Sequence, residues 1–97
     1  MIDPTTIIGH AERVYHLKQG TVKGSARSKA TSEARSVAMY LTRQLTGMSY
    51  PEIGRIFDRH HTTVLKNVEQ VNKRYSSEDP HLVSNVKSVI NQIRRAT

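Results

Sequence analysis

Ala34-Arg35-Ser36-Val37-Ala38-Met39-Tyr40-Leu41, then Leu45-Thr46, then Ser49-Tyr50-Pro51-Glu52-Ile53-Gly54-Arg55-Ile56-Phe57-Asp58-Arg59-His60-His61-Thr62-Thr63-Val64 is the stretch that decides the fold. Ala34, Val37, Ala38, Leu41 and Leu45 recur at helical spacing and predict a long helix from about Thr31 with a buried stripe, closed by Thr46-Gly47. Ser49 followed three residues later by Glu52 is a capping box, and Pro51 fits the first turn of a short second helix that turns Ile53, Ile56 and Phe57 inward. Asp58-Arg59-His60 reads as a tight polar turn. A third helix then runs from about His61 to Tyr75, burying Val64, Val68, Val71 and Tyr75. Helix, capped helix, polar turn and a helix opening on paired threonines form the pattern of a helix-turn-helix, over about residues 49–75.

The flanks read as helical too. Asp3-Pro4 is an N-cap followed by proline at the first helical position, and Ile7, Ile8, Ala11, Val14 and Tyr15 continue a helix through about residue 16. Between about residues 18 and 30 regularity breaks at Gly20, Gly24, Ser25 and Ser28. Lys18, Lys23, Arg27 and Lys29 stand there with no acid among them, which predicts a short helical turn and then an exposed basic loop. Ser76–Asp79 is a loop, and Asp79-Pro80 restarts a last helix with Leu82, Val86, Val89, Ile90 and Ile93 on one face. No strand pattern and no internal repeat is present. The expectation is a single all-α domain over residues 1–97, with about five to six helices including the helix-turn-helix.

A chain of 97 residues forms one small domain. Its formal charge of +7 points to a polyanionic partner, which charge alone leaves open between DNA, RNA and a membrane surface. The absence of cysteine removes disulfides, thiolate zinc sites and cysteine nucleophiles, and fits a reducing cytoplasm. No apolar run approaches the roughly 20 residues needed to span a bilayer. Asp3 and Pro4 interrupt any signal-peptide pattern. His60 and His61 are adjacent and cannot share a helix face as metal ligands, and no cysteine, histidine or acid at ligand spacing completes a site. No nucleophile–base constellation, no G-x-x-x-x-G-K-[ST] loop and no paired-carboxylate pattern appears, so neither catalysis nor a cofactor is expected.

The order and spacing of the decisive stretch resemble the C-terminal DNA-binding domain of the bacterial replication initiator DnaA. That family's signature runs approximately A-R-x-x-A-M-Y-L, L-T, S-x-P-E-I-G, F and R-D-H-T-T-V, and the match spans roughly residues 31–65, with compatible helices on either side. DnaA proteins carry an ATPase module ahead of this domain. These 97 residues hold none, so ATP binding and ATP-driven oligomerisation are not carried over.

With Val64, Val68, Val71 and Tyr75 turned to the core, Thr62 and Lys66 fall on the opposite face of the third helix, and Thr63 and Asn67 flank it. Such groups near a helix N-terminus suit major-groove base edges and the adjacent phosphates. The resemblance assigns base contacts to His61, Thr62 and Thr63. It implies that Arg27 enters the minor groove from the basic loop and that Arg35 contacts DNA. For Arg59, in the turn, phosphate contact and structural bracing both fit. Lys23 and Lys29 read as phosphate neighbours or spare charge, Arg43 and Arg55 as a solvated face, and Arg94 and Arg95 receive no role.

Three departures from the family pattern bear on specificity. His60 stands where the family has aspartate, exchanging an acceptor for a ring that can donate or accept. Ser36 replaces a glutamine and has shorter reach. Asn67 replaces a small residue with an amide able to pair bidentately with adenine. The expected function is sequence-preferring binding of double-stranded DNA at replication-origin, DnaA-box-like sites, by a monomer associated with the cytoplasmic nucleoid, with other replication-initiation proteins as candidate partners and no membrane contact. A transcriptional regulator is the nearest alternative. A protein-interaction module docking through the last helix is the alternative of a different class.

Overall fold

The computed structural model describes residues 2–96. Its helices are α1 (Pro4–Val14), α2 (Lys29–Thr46), α3 (Tyr50–Phe57), α4 (His61–Ser76) and α5 (Pro80–Ala96), and no strand occurs among the described residues. The all-α expectation holds, with five helices.

The helix boundaries follow from local chemistry. Asp3 caps α1 by accepting the Thr5 amide at 2.9 Å, with Pro4 in the first turn. Ser28 caps α2 by accepting the Thr31 amide at 3.1 Å, so the helix begins two residues before the expected Thr31. Gly47 ends it in the left-handed conformation, at φ 70°. Both halves of the Ser49–Glu52 capping box form at the start of α3. Asp79 accepts the Leu82 amide at 3.2 Å where α5 begins. α1 closes at Val14, earlier than the expected residue 16, because His16 takes a left-handed conformation at φ 56° and turns the chain.

α2 is the central helix, packing against α1, α3 and α4, while α5 closes the far side against α1 and α4. Ala34 and Ala38 are fully buried, and their small side chains let neighbouring helices approach α2 closely. Around them lie Ile7 and Ala11 of α1, Ile53 and Phe57 of α3, Val64 and Val71 of α4, and Leu82, Val86 and Val89 of α5. The apolar face of α5 is thus spent on the domain's own core. Leu45 is 40% exposed, contrary to the expected stripe, because it lies in the last turn of α2, where the chain leaves at Gly47 and covers it only in part.

The segment between α1 and α2 forms hydrogen-bonded turns and no helix. It is pinned at Val22, whose side chain is fully buried. The Val22 amide donates to the Glu12 carboxylate at 2.9 Å, and its carbonyl accepts from Arg35 Nε at 2.8 Å. Glu12 and Arg35 are only 3% and 7% exposed. Buried charges are tolerated when hydrogen bonds replace lost water, and here one loop residue supplies a partner to each.

Candidate nucleic-acid interface

The turn between α3 and α4 is built on a close backbone approach. A Cβ on Gly54 would lie 2.5 Å from the Arg59 carbonyl oxygen, so only glycine fits. Asp58 ends α3 in the left-handed region at φ 54°, and the Arg59 amide donates to the Gly54 carbonyl at 2.9 Å.

His60 is the N-cap of α4. Its Nδ1 accepts the Thr62 amide at 3.2 Å and lies 2.8 Å from the Thr62 hydroxyl. A backbone amide can only donate, so this geometry puts the ring proton on Nε2 and makes that edge a donor. The His60 and His61 rings lie 4.3 Å apart. His61, Thr62, Thr63 and Lys66 are all exposed on the first turns of α4.

Asn67 is half-buried, and its amide nitrogen donates to the buried Met39 sulfur at 3.4 Å, a weak acceptor. Bidentate pairing with a base would require this side chain to leave the sulfur. Thr63 and Asn67 line an open groove between α2 and α4, together with Lys29, Ser32, Ser36 and Gln70. Lys29 aside, none of the α2 and α4 residues Ser32 and Gln70 was singled out from sequence. Their signal was present, since Ser32–Ser36 and Thr63–Asn67–Gln70 follow the one-face spacing of a helix. The Ser36 hydroxyl donates to the Ser32 carbonyl of its own helix.

The arginines divide sharply. Arg27 is exposed on the loop. Arg35, expected at the DNA, is 7% exposed and held against the loop's backbone. Besides Val22, its Nη2 donates to the carbonyls of Gly24 at 3.1 Å and Ala26 at 3.0 Å. Burial, then the nearby charges of Arg59 and Arg27, pull its guanidinium below the ordinary arginine value, and it stays ionised. Arg59 braces the turn: Nη1 donates to the carbonyls of Phe57 at 2.9 Å and Asp58 at 3.1 Å, and Nη2 to that of Gly24 at 2.7 Å. Lys23, Ser25, Arg27, Arg35 and Arg59 surround one open concavity with Asp58, four cations against a single acid. Arg43, read as solvated, lies over the Tyr50 ring at 4.5 Å and donates to the Met48 carbonyl at 2.7 Å.

On the other side of Lys29 a polar network staples the helices. Tyr15 donates to Glu33 at 2.7 Å, Arg74 pairs with Glu33 at 2.9 Å and with Asp79 at 3.0 Å. Burial pushes the Glu33 carboxyl up, but hydrogen bonds from Tyr15 and Arg74 outweigh it and hold it below its ordinary 4.5. Tyr15 is raised, first by burial and then by Glu33. Among the described residues no three histidine or acid side chains gather as a metal site, and no helix is long and apolar enough to cross a membrane.

An exposed helix start, a glycine-tightened turn and an adjoining cationic loop define a helix-turn-helix of the DNA-binding class. The family model described as bacterial DnaA protein helix-turn-helix matches residues 4–71, and the chain belongs to that family. It is similar to the chromosomal replication initiator protein DnaA of Clavibacter sepedonicus, 38% identical over 98 residues, and to that of Leifsonia xyli subsp. xyli, 39% identical over 98 residues. Each alignment covers 100% of this chain and 19% of the relative. The DnaA of Zymomonas mobilis is 45% identical over 67 residues, covering 67% of this chain and 14% of its own length. The chain thus spans about a fifth or less of the curated relatives it matches. The family is defined by its helix-turn-helix, a DNA-binding motif.

Proposed function

We propose that this domain binds double-stranded DNA with sequence preference, at DnaA-box-like sites of replication origins, in the initiation of replication or its regulation. What supports the reading is that the exposed start of α4 and the basic loop lie side by side. The exposed His61, Thr62 and Thr63 open α4 at a helix N-terminus suited to the major groove and its phosphates. The turn before them is hydrogen-bonded to the loop that carries Arg27, the residue assigned to the minor groove. Lys66 on α4, Lys23 in the loop and Lys29 at the start of α2 supply charge for phosphates. Arg35 and Arg59 hold the loop by hydrogen bonds to its carbonyls. His60 offers its Nε2–H where the family offers a carboxylate, so the preferred site differs from the family's at the base it meets. The domain acts as a monomer at the nucleoid.

The test is a titration of the protein against a DnaA-box duplex and a shuffled duplex of equal length, at fixed salt. A specific binder separates the two by at least tenfold. Thr63→Ala weakens the specific complex by about 1–3 kcal/mol and the shuffled one much less. Equal affinity for both duplexes, unchanged by Thr63→Ala, would overturn the reading.

A further inference from the structure

We infer that Arg59 is a positioning residue that couples the two DNA-reading elements, holding the basic loop against the helix-turn-helix through Gly24 so that Arg27 and α4 meet DNA as one unit. This rests on the DNA reading above and names how its two halves are kept in register.

The argument begins with what the guanidinium touches. Two of its contacts, to the Phe57 and Asp58 carbonyls, lie within its own turn and fix the side chain's direction. The third reaches the Gly24 carbonyl, 35 residues away in sequence and in a different element. Three of its five N–H donors go to these carbonyls, and together they fix how the loop sits against the turn. The receiving end is equally specific. Gly24 lies in the exposed part of the loop, past the buried anchor at Val22 and three residues before Arg27. Arg35 holds the same loop from α2, through the carbonyls of Val22, Gly24 and Ala26. The Gly24 carbonyl is therefore the point where α2, the loop and the turn into α4 meet.

The arrangement also concentrates like charge. Arg27 and Arg59 both lie close enough to Arg35 to disfavour its ionised form. Three cations gather at one place only because the loop's carbonyl oxygens face two of them.

Lysine discriminates the roles of Arg59. It keeps the charge, which suffices for a phosphate contact, but its single ammonium cannot span the carbonyls of its own turn and that of Gly24 in the loop. The experiment uses the 97-residue chain as wild type, Arg59→Lys, Arg27→Ala and the double variant, with helix content checked by circular dichroism. Backbone ¹⁵N relaxation of the free protein is read first. Expected for Arg59→Lys is a fall in order parameters at residues 23–27, from about 0.85 toward 0.6, with α1 to α5 unchanged. Arg59→Gln, whose amide reaches one carbonyl, gives the same pattern. Affinity for a DnaA-box duplex is read second. Arg27→Ala costs roughly tenfold in wild type and less than about twofold in the Arg59→Lys background, because a loosened loop no longer presents Arg27. Unchanged loop order in both Arg59 variants, or additive losses in the cycle, would overturn the coupling while leaving DNA binding intact. A wild type blind to the difference between DnaA-box and shuffled duplexes would instead overturn the DNA reading itself.

Discussion

Arg35 and Arg59 donate to the same carbonyl oxygen, that of Gly24, at 3.1 Å and 2.7 Å. One arginine comes from the central helix and the other from the turn into the recognition helix, 24 positions apart in sequence. Two cations converge on one acceptor because the loop they fasten is itself short of partners. Its carbonyls lie outside any helix and must find donors or water.

The shared acceptor changes the expected salt dependence. Five side chains, Lys23, Lys29, Arg35, Arg59 and Lys66, were candidates for phosphates from sequence. Three of the five N–H donors of Arg35, and three of those of Arg59, go to carbonyls, which ranks both behind Lys23, Lys29, Lys66 and a loop contact from Arg27 as phosphate contacts. The slope of log affinity against log salt is expected at roughly −3 to −4, and Lys66→Ala is expected to reduce its magnitude by about 1. Fluorescence anisotropy across a salt series checks both values. A slope steeper than about −5 would put the two arginines back on the DNA.

Gly54 gives a stability prediction. Alanine in a helix is ordinarily better than glycine by up to about 1 kcal/mol. Here the new Cβ would collide with the Arg59 carbonyl at 2.5 Å, and that carbonyl belongs to backbone fixed by the turn. Gly54→Ala is expected to destabilise by about 1–3 kcal/mol, measured by urea denaturation. A gain in stability would show that α3 and the turn are not so close.

His60→Asp should act twice. As N-cap of α4, an ionised carboxylate accepts the Thr62 amide better than a neutral ring nitrogen and meets the positive end of the helix dipole, for a gain of about 0.3–1 kcal/mol in folding stability. At the DNA it exchanges the Nε2–H donor for an acceptor, as in the family pattern. Affinity for a family DnaA box should therefore rise by about 1–3 kcal/mol. Thermal melting and a DNA titration separate the two effects. Stability without tighter binding would assign His60 to capping alone.

Acid should loosen the staple around Glu33. Its folded carboxyl titrates below the ordinary 4.5, because the Tyr15 and Arg74 hydrogen bonds overcome the upward push of burial. A depressed carboxylate adds stability that is fully present above the unfolded value and is lost as pH falls through the folded one. The melting temperature of wild type should drop as pH falls below about 4.5, and Glu33→Gln should flatten that limb while lowering stability at neutral pH. Parallel wild-type and variant curves down to about pH 3 would remove Glu33 from the account.

Much of this architecture was legible in one dimension because its causes are local. The Ser49–Glu52 box, the proline starts at Pro4 and Pro51, the glycine stop at Gly47 and the valine stripe of α4 act over three or four residues. Local chemistry and helical period therefore determined the helices, their order and the exposure of His61, Thr62 and Thr63. Tertiary structure alone decided which arginines face outward. Arg27 and Arg35 differ little as sequence, both basic and both near the loop. One is exposed and the other is buried, because a loop residue 13 positions earlier, Val22, folds its side chain into the core and turns its carbonyl toward Arg35. Arg59 is committed in the same way by Gly24, 35 residues away. Hydrogen bonds between segments so far apart leave no periodic trace in a chain, since they depend on where the packed helices bring the loop.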